Sequence, residues 1–143
     1  MIAALTGEPA AADVEAILRD QADRSVVSSI GIAEVVDVLV RHRGRPIAEV
    51  EERLFWLRVG GLDVMPVDEG IGLRAGSIHA HHYHRQRRPI SMADCVTLAT
   101  ALSIGQRLGT ADRALLATAV EEGCGVIALP DSQGHRPSVD TQR

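Results

Sequence analysis

Short strand patterns alternate with amphipathic helix patterns along this chain of 143 residues. Apolar periodicity predicts helices and strands in this order: helix 1–6, helix 13–20, strand 25–28, helix 30–42, helix 47–59, strand 62–67, helix 68–84, helix 91–104, strand 107–110, helix 113–122 and strand 126–129. This alternation predicts an α/β domain with a parallel sheet flanked by helices. Because the chain opens on a helix, the first strand of that sheet, which is normally central, is missing.

Residues 1–130 are predicted to form this one domain, which is long enough to bury a substantial core. Residues 131–143 are polar and contain Gly and Pro, and we expect them to be a disordered tail.

Three isolated carboxylates, Glu34, Asp94 and Asp112, lie in the first turns of predicted helices. In α/β folds, helix starts lie at the carboxyl ends of parallel strands, which is the edge where open sheets hold their sites. Like charges gathered at that edge repel one another unless a cation lies between them. The pattern therefore predicts a hard divalent ion with oxygen ligands, Mg²⁺ or Mn²⁺.

Each carboxylate also has an ordinary structural explanation. Ser91 and Asp94 have the spacing of a capping box, and Asp112 is placed to cap the helix that follows it. Glu34 has fewer alternatives because Asp37 is the only other charged residue in its apolar segment, although one side of that helix could be solvated. These alternatives stay open for each residue taken alone.

All 15 basic residues are Arg, which excludes a phosphate-loop lysine, a Schiff base and a lysine general base. Two arginine-rich runs, residues 41–45 and 85–88, could hold a nucleic-acid backbone locally in this chain of formal net charge -4. Both follow helix C-termini, where the helix dipole favours cations, so the structural explanation is stronger for each run separately. Their joint presence favours RNA. Only Phe55, Trp56 and Tyr83 are aromatic, so a base-stacking platform is not expected.

Histidine and cysteine, two common metal ligands, have simpler interpretations here. His79 and His82 share a helical face, but no acid or Cys nearby in the sequence completes a site, so we interpret these histidines as solvated. Cys95 and Cys124 lack ligand spacing and are predicted to be small buried residues.

Two features of the sequence bear on location and partners. Phe55 and Trp56 lie off the apolar stripe of their helix, which predicts equally a partner-binding surface or the rim of the core. No apolar run reaches transmembrane length and no segment resembles a signal peptide, so we expect a cytoplasmic protein without a membrane partner.

Three segments, taken in order, carry a family resemblance. Residues 28–35, Ser-Ser-Ile-Gly-Ile-Ala-Glu-Val, are similar to the second acidic motif of the PIN-domain ribonucleases. Residues 90–101 resemble the third motif, and residues 108–112, Leu-Gly-Thr-Ala-Asp, resemble the fourth. The Ser-x-x-Asp helix start with the later Ala-Thr-Ala is the most specific of these matches. The likeness covers the chain to about Pro130 and is greatest to the VapC toxins of bacterial toxin–antitoxin pairs.

The resemblance implies a three-layer α/β/α fold with a central parallel sheet, and an endoribonuclease that uses Mg²⁺ or Mn²⁺ to hydrolyse RNA phosphodiester bonds. It makes Glu34, Asp94 and Asp112 the metal-binding catalytic acids, and Thr110 a residue that supports the site by hydrogen bonding. It also implies a cognate antitoxin that inhibits the enzyme, and either a homodimer or a toxin–antitoxin hetero-oligomer.

One part of the family pattern has no counterpart in this sequence. Family members begin with a strand that ends in a metal-binding Asp, whereas this sequence opens on the helix that follows. Either Met1 is a wrongly chosen start or the chain is a decayed paralogue, and we favour the first because decay would not spare the other three motifs. Two hypotheses follow: an active ribonuclease toxin, and a truncated, inactive PIN domain that only binds antitoxin, through surfaces including Phe55 and Trp56.

Overall fold

The computed structural model describes residues 5–20 and 25–138, and the chain divides into two compact units, Met1–Pro66 and Val67–Arg143. Both units contain helices and parallel strands, which confirms the predicted α/β fold class. In the described part of the chain, the strands form two separate parallel pairs rather than the single sheet that the resemblance implies. No strand among those residues links the two pairs.

Besides the helical residues Leu5 and Thr6, the described residues of the first unit form two parallel strands and three α-helices, one of which ends in a π-helical turn. Its elements are α1 Ala11–Arg19, β1 Ser25–Ser28, α2 Ser29–Asp37 with the π-helical turn Val38–His42, α3 Ile47–Val59 and β2 Leu62–Met65. Ser25 pairs with Leu62 and Ser28 with Met65. Its buried core consists of Leu5, Val35, Leu39, Val50 and Leu54. The predicted helix over residues 1–6 lies largely outside the described residues, of which Leu5 and Thr6 are helical.

Helix α2 follows β1 without a connecting loop, and two small residues make this possible. Ser28 has an extended backbone, and its Oγ accepts a hydrogen bond from the Gly31 amide at 3.0 Å, so Ser28 is the N-cap. A Cβ on Gly31 would lie 2.8 Å from Val27 Cγ2, so glycine lets the helix start lie directly against the strand.

Up to residue 138, the second unit contains three helices and two parallel strands: α4 Glu69–His82, α5 Met92–Ser103, β3 Leu108–Thr110, α6 Arg113–Glu121 and β4 Val126–Ala128. Leu108 pairs with Val126, and Thr110 with Ala128. Helix α5 packs against α4, α6 and β3, and its small residue Ala99 is fully buried, which allows close packing of the helix. Among the described residues, no helix is both long enough and apolar enough to cross a membrane.

The segment after β4 begins with a hydrogen-bonded turn. Asp131 Oδ1 accepts hydrogen bonds from the amides of Gln133 and His135, both at 2.9 Å, and Arg136 donates to the Ala128 carbonyl oxygen at 2.8 Å. Residues 139–143 lie outside the described residues. The disordered tail and the domain boundary at residue 130 therefore stay predictions.

Candidate functional site

Glu34 lies on helix α2 of the first unit, with its side chain exposed. Because α2 begins at Ser29, Glu34 falls in the second turn rather than in the predicted first turn. The next residue, Val35, is buried in the core and fixes the rotation of the helix. Solvent exposure agrees with the alternative of a solvated helix face, and the role of Glu34 as a metal ligand stays a prediction.

Asp94 closes the capping box at the start of α5. Asp94 Oδ2 accepts hydrogen bonds from the Ser91 amide at 2.8 Å and from the Ser91 hydroxyl at 2.7 Å, while Ser91 Oγ accepts from the Asp94 amide at 3.0 Å. This confirms the capping explanation. Asp94 Oδ1 makes no hydrogen bond to any residue that the structure describes. Capping and metal binding are therefore compatible, because capping holds the side chain in place and leaves one oxygen available.

Asp112 and Thr110 are linked at the carboxyl end of β3. Asp112 is the N-cap of α6 rather than a first-turn residue, and its Oδ1 accepts from the Leu115 amide at 2.7 Å. The Asp112 amide donates to Thr110 Oγ1 at 3.0 Å, and Thr110 is only 8% exposed. The buried hydroxyl thus fixes the backbone that carries the Asp112 carboxylate. Asp112 Oδ2 has no hydrogen-bond partner within residues 5–20 and 25–138.

The carboxylates of the second unit suit a hard divalent ion. Asp94 and Asp112 each offer one unbonded carboxylate oxygen, which is the donor type that Mg²⁺ and Mn²⁺ prefer. Asp94 lies on α5, which packs against α6, the helix that Asp112 caps. Across the described residues, however, no group of three or more His, Cys, Asp and Glu side chains could hold a metal ion. Glu34 belongs to the first unit, so the predicted site of three acids stays a prediction.

Cys95, next to Asp94, does not extend this set of ligands. Burial raises the pKa of the Cys95 thiol to about 11, and the negative charge of Asp94 adds to the effect. A pKa raised in this way makes the thiol a weak nucleophile at neutral pH. Burial also raises the pKa of Cys124. Both cysteines are buried, as the sequence predicted.

The first arginine-rich run is neutralised within its own unit. Its three guanidinium groups form ion pairs with nearby carboxylates: Arg41 with Asp37 at 2.7 Å, Arg43 with Glu8 at 2.8 Å and Arg45 with Glu49 at 3.5 Å. The hydrogen bond from Arg41 holds the pKa of Asp37 below its usual value. These pairs weaken the case for this run as a nucleic-acid contact.

The interpretation of the histidines as solvated is wrong for His82. Its side chain is 6% exposed, and its Nε2 lies 2.7 Å from Glu122 Oε1. Arg88 of the second run lies 2.9 Å from His82 Nδ1 and bonds to Glu121 Oε2 at 2.6 Å. The hydrogen bond from Arg88 lowers the pKa of Glu121. Sequence reasoning missed this network because Glu122 lies 40 residues beyond His82, where no local pattern connects them.

Phe55 and Trp56 are largely exposed on α3, at 58% and 61%. Their rings contact each other edge to face, with centroids 5.4 Å apart. This exposure favours a partner-binding surface over the rim of the core.

The model of the PIN-domain family matches residues 1–121 of the chain. A search of curated proteins finds no match. The helices and parallel strands of both units agree with the α/β fold of PIN domains. PIN domains are generally nucleases and typically use divalent metal ions. Because the match covers well over half of the residues of this chain, the chain belongs to the PIN-domain family.

Proposed function

We propose that this chain is a Mg²⁺- or Mn²⁺-dependent endoribonuclease of the VapC type, a cytoplasmic toxin that a cognate antitoxin inhibits. Membership of a nuclease family supports hydrolysis of nucleic acid. The specific resemblance of the three acidic motifs to VapC toxins supports RNA as the substrate and an antitoxin as the partner. On the same grounds we propose a homodimer or a toxin–antitoxin hetero-oligomer.

One observation carries the proposal: two helix-capping carboxylates each keep an oxygen unbonded. Asp94 and Asp112 are both fixed by hydrogen bonds through one oxygen, so their open oxygens are held in place before any ligand arrives. Preorganised oxygens cost little further ordering when an ion binds, which is what a metal site requires.

The proposed site residues have different roles in phosphodiester hydrolysis. A divalent ion, when bound, lowers the pKa of a water molecule and neutralises charge on the scissile phosphate. Asp94 and Glu34 hold that ion directly or through water, and Asp112 holds a second ion or orients the attacking water. Thr110 acts through Asp112, because its hydroxyl accepts the hydrogen bond from the Asp112 amide.

The test is cleavage of RNA by the purified chain in the presence of Mn²⁺, comparing Asp94→Asn with Asp68→Asn. Asn also caps helices, so both variants are expected to fold. Asp68 is a matched control, because it caps α4 of the same unit by accepting from the Ile71 amide at 2.8 Å and has no role in the proposed site. We expect Asp94→Asn to lower cleavage by about 100-fold or more and Asp68→Asn to retain it. Equal activity of the two variants would contradict the proposal.

A second candidate function is an inactive PIN domain that only binds antitoxin. The exposed apolar side of α3, formed by Phe55, Trp56 and Val59, favours this candidate because all three are more than half exposed. Trp56 is the only tryptophan of the chain, so its fluorescence reports directly on a partner that covers this surface. A chain that binds antitoxin with a change in Trp56 emission, yet never cleaves RNA with Mn²⁺, would be this module.

A further inference from the structure

We propose that the hairpin of residues 84–88 binds the phosphate backbone of single-stranded RNA through the guanidinium groups of Arg85 and Arg87. The inference rests on the proposed function, since it names the surface that holds the RNA substrate. It was not evident from the sequence, where both arginine-rich runs had the same structural explanation.

Local hydrogen bonds close the hairpin. The His84 amide donates to the Arg88 carbonyl oxygen at 3.0 Å, and the Arg88 amide donates to the His84 carbonyl oxygen at 2.9 Å. His84 Nδ1 also accepts from the amides of Gln86 at 3.3 Å and Arg87 at 3.1 Å. The turn is therefore ordered from within, and it presents Arg85, Gln86 and Arg87 to solvent.

Arg88 anchors the base of the hairpin to the end of α6. Its guanidinium donates to Glu121 Oε2 at 2.6 Å and to His82 Nδ1 at 2.9 Å. Because Arg can only donate, His82 Nδ1 must accept, and the proton on Nε2 then points at Glu122 Oε1, 2.7 Å away. Arg88 is thus fully engaged by the protein, and the binding groups are the two arginines at the tip.

Arg85 and Arg87 differ from every arginine of the first run. Both are exposed, and the guanidinium group of neither forms a hydrogen bond or ion pair with a described residue. In a chain with net charge -4, carboxylates are available as partners, yet within residues 5–20 and 25–138 none pairs with these two groups. A planar guanidinium bonds to phosphate through two parallel hydrogen bonds, so the pair is suited to a polyphosphate backbone.

Tyr83 adds a feature that specifies a single strand. It directly precedes the hairpin, is 47% exposed, and stacks on His79 with ring centroids 4.7 Å apart and planes 14° apart. Stacking on His79 orders the tyrosine ring, and an ordered, half-exposed ring can stack on one unpaired base. Cationic groups combined with an aromatic ring are how proteins bind single-stranded nucleic acid without reading its sequence.

The chain also ties the hairpin to the proposed catalytic acid. Only Pro89 and Ile90 separate Arg88 from Ser91, the capping partner of Asp94. Ile90 is 2% exposed, and its amide donates to the Arg88 carbonyl oxygen at 2.9 Å, so this connection is fixed. RNA bound at the hairpin is therefore held at a defined position relative to the helix start that carries Asp94.

The test is RNA binding in EDTA, which prevents metal-dependent cleavage. Fluorescence anisotropy with a labelled single-stranded RNA of about 20 nucleotides compares the wild type with Arg85→Ala/Arg87→Ala. We expect affinity to fall roughly tenfold and the slope of log affinity against log salt, between about 50 and 200 mM, to become shallower by about 1.4, or 0.7 for each lost phosphate contact. Arg85→Lys/Arg87→Lys keeps the charges but not the planar bidentate groups, so it is expected to keep the salt slope and to lose part of the affinity.

Arg41→Ala/Arg43→Ala is the matched control, because it removes the same charge from arginines that are already paired. An unchanged affinity and salt slope in Arg85→Ala/Arg87→Ala would overturn the inference, as would an equal loss in the control or an absence of RNA binding by the wild type. If Arg85→Ala/Arg87→Ala loses binding to a polyglutamate peptide but still binds RNA as the wild type does, the hairpin binds an acidic polypeptide instead, and the inference is overturned. Binding needs no metal, so hairpin-dependent binding without Mn²⁺-dependent cleavage would refute the proposed function and leave this inference standing.

Discussion

In the first unit the arginines of residues 41–45 pair with carboxylates of that unit, whereas in the second unit Arg85 and Arg87 pair with no described residue. The carboxylates of Asp94 and Asp112 in the second unit likewise keep one oxygen unbonded to the described residues. The difference shows that composition does not identify a binding surface. Two runs of similar sequence differ in their ion pairs: Arg41 and Arg45 pair with carboxylates four residues away, and Arg43 pairs with Glu8, 35 residues away.

The largest expected change in stability lies in the first unit. Gly31→Ala places a Cβ 2.8 Å from Val27 Cγ2, and the stiff valine side chain cannot move away without shifting the strand. We expect the free energy of unfolding to fall by about 1–3 kcal/mol in urea denaturation. Gly72→Ala is the matched control, since nothing lies within 4 Å of its added Cβ on α4, and it is expected to stabilise the chain by about 0.5–1 kcal/mol. Destabilisation by both substitutions would contradict the packing described for Gly31.

Thr110→Val tests the second unit at its proposed site. Valine has the same shape but removes the acceptor for the Asp112 amide, so the carboxylate loses its fixed position. We expect the kcat of RNA cleavage to fall about tenfold with KM unchanged, and Thr110→Ser to restore it.

The control for Thr110→Val is Thr118→Val. Thr118 is also fully buried in the second unit, but its hydroxyl donates to the Ala114 carbonyl oxygen within α6. We expect kcat to be unchanged in this variant. Equal losses of kcat in the two variants would show that Thr110 contributes only to folding.

The smallest expected effect concerns the pair that anchors the hairpin. The hydrogen bond from Arg88 lowers the pKa of Glu121 below its ordinary 4.5, so the folded state favours the ionised carboxylate. The stabilisation that this ion pair gives is present above about pH 4.5, the ordinary pKa of Glu121. It is lost as the pH falls through the lower pKa that Glu121 has in the folded state. We expect Glu121→Gln to destabilise the chain at pH 7 by less than about 1 kcal/mol, because the pair is half-exposed and screened. The difference from wild type should vanish in strong acid.

Urea denaturation of Glu121→Gln at neutral and acid pH checks this prediction against Glu52→Gln. Glu52 is exposed on α3 and has no partner in the described part of the chain. Its substitution is expected to leave the free energy of unfolding nearly unchanged at both pH values. A Glu121→Gln difference that grows in acid would contradict the ion pair.

Local patterns in the sequence predicted the order of the described helices and strands, but not the π-helical turn Val38–His42 or the hairpin of residues 84–88. Helix α3 was predicted as residues 47–59 and strand β1 as residues 25–28, and both agree with the structure. The N-cap of α2 was predicted one residue late, at Ser29, because adjacent serines are equivalent in sequence and only the backbone shows that Ser28 is still extended. The division of the strands into two pairs could not be predicted, because strand pairing is a non-local property.

The candidate site could be predicted only in part, because some of its contacts are local in the sequence and others are not. The capping roles of Asp94 and Asp112 follow from spacing alone, and both were confirmed. The hydrogen bonds of His82 could not be predicted, because His82 ends helix α4 whereas its partner Glu122 directly follows helix α6. The contrast between the two arginine-rich runs depends on both kinds of contact, because Arg41 and Arg45 form local ion pairs and Arg43 forms a tertiary one with Glu8.

Paramagnetic broadening by Mn²⁺ in amide NMR spectra tests whether Asp94 and Asp112 lie at the proposed divalent-ion site. We expect signals of residues 93–95 and 111–113 to lose intensity first as Mn²⁺ is added, and Asp94→Asn to prevent the loss. Loss of signals around Glu34 in the same titration is expected from its proposed role as a ligand. Broadening that leaves residues 93–95 and 111–113 unaffected would show that the ion binds elsewhere and would contradict the proposed site.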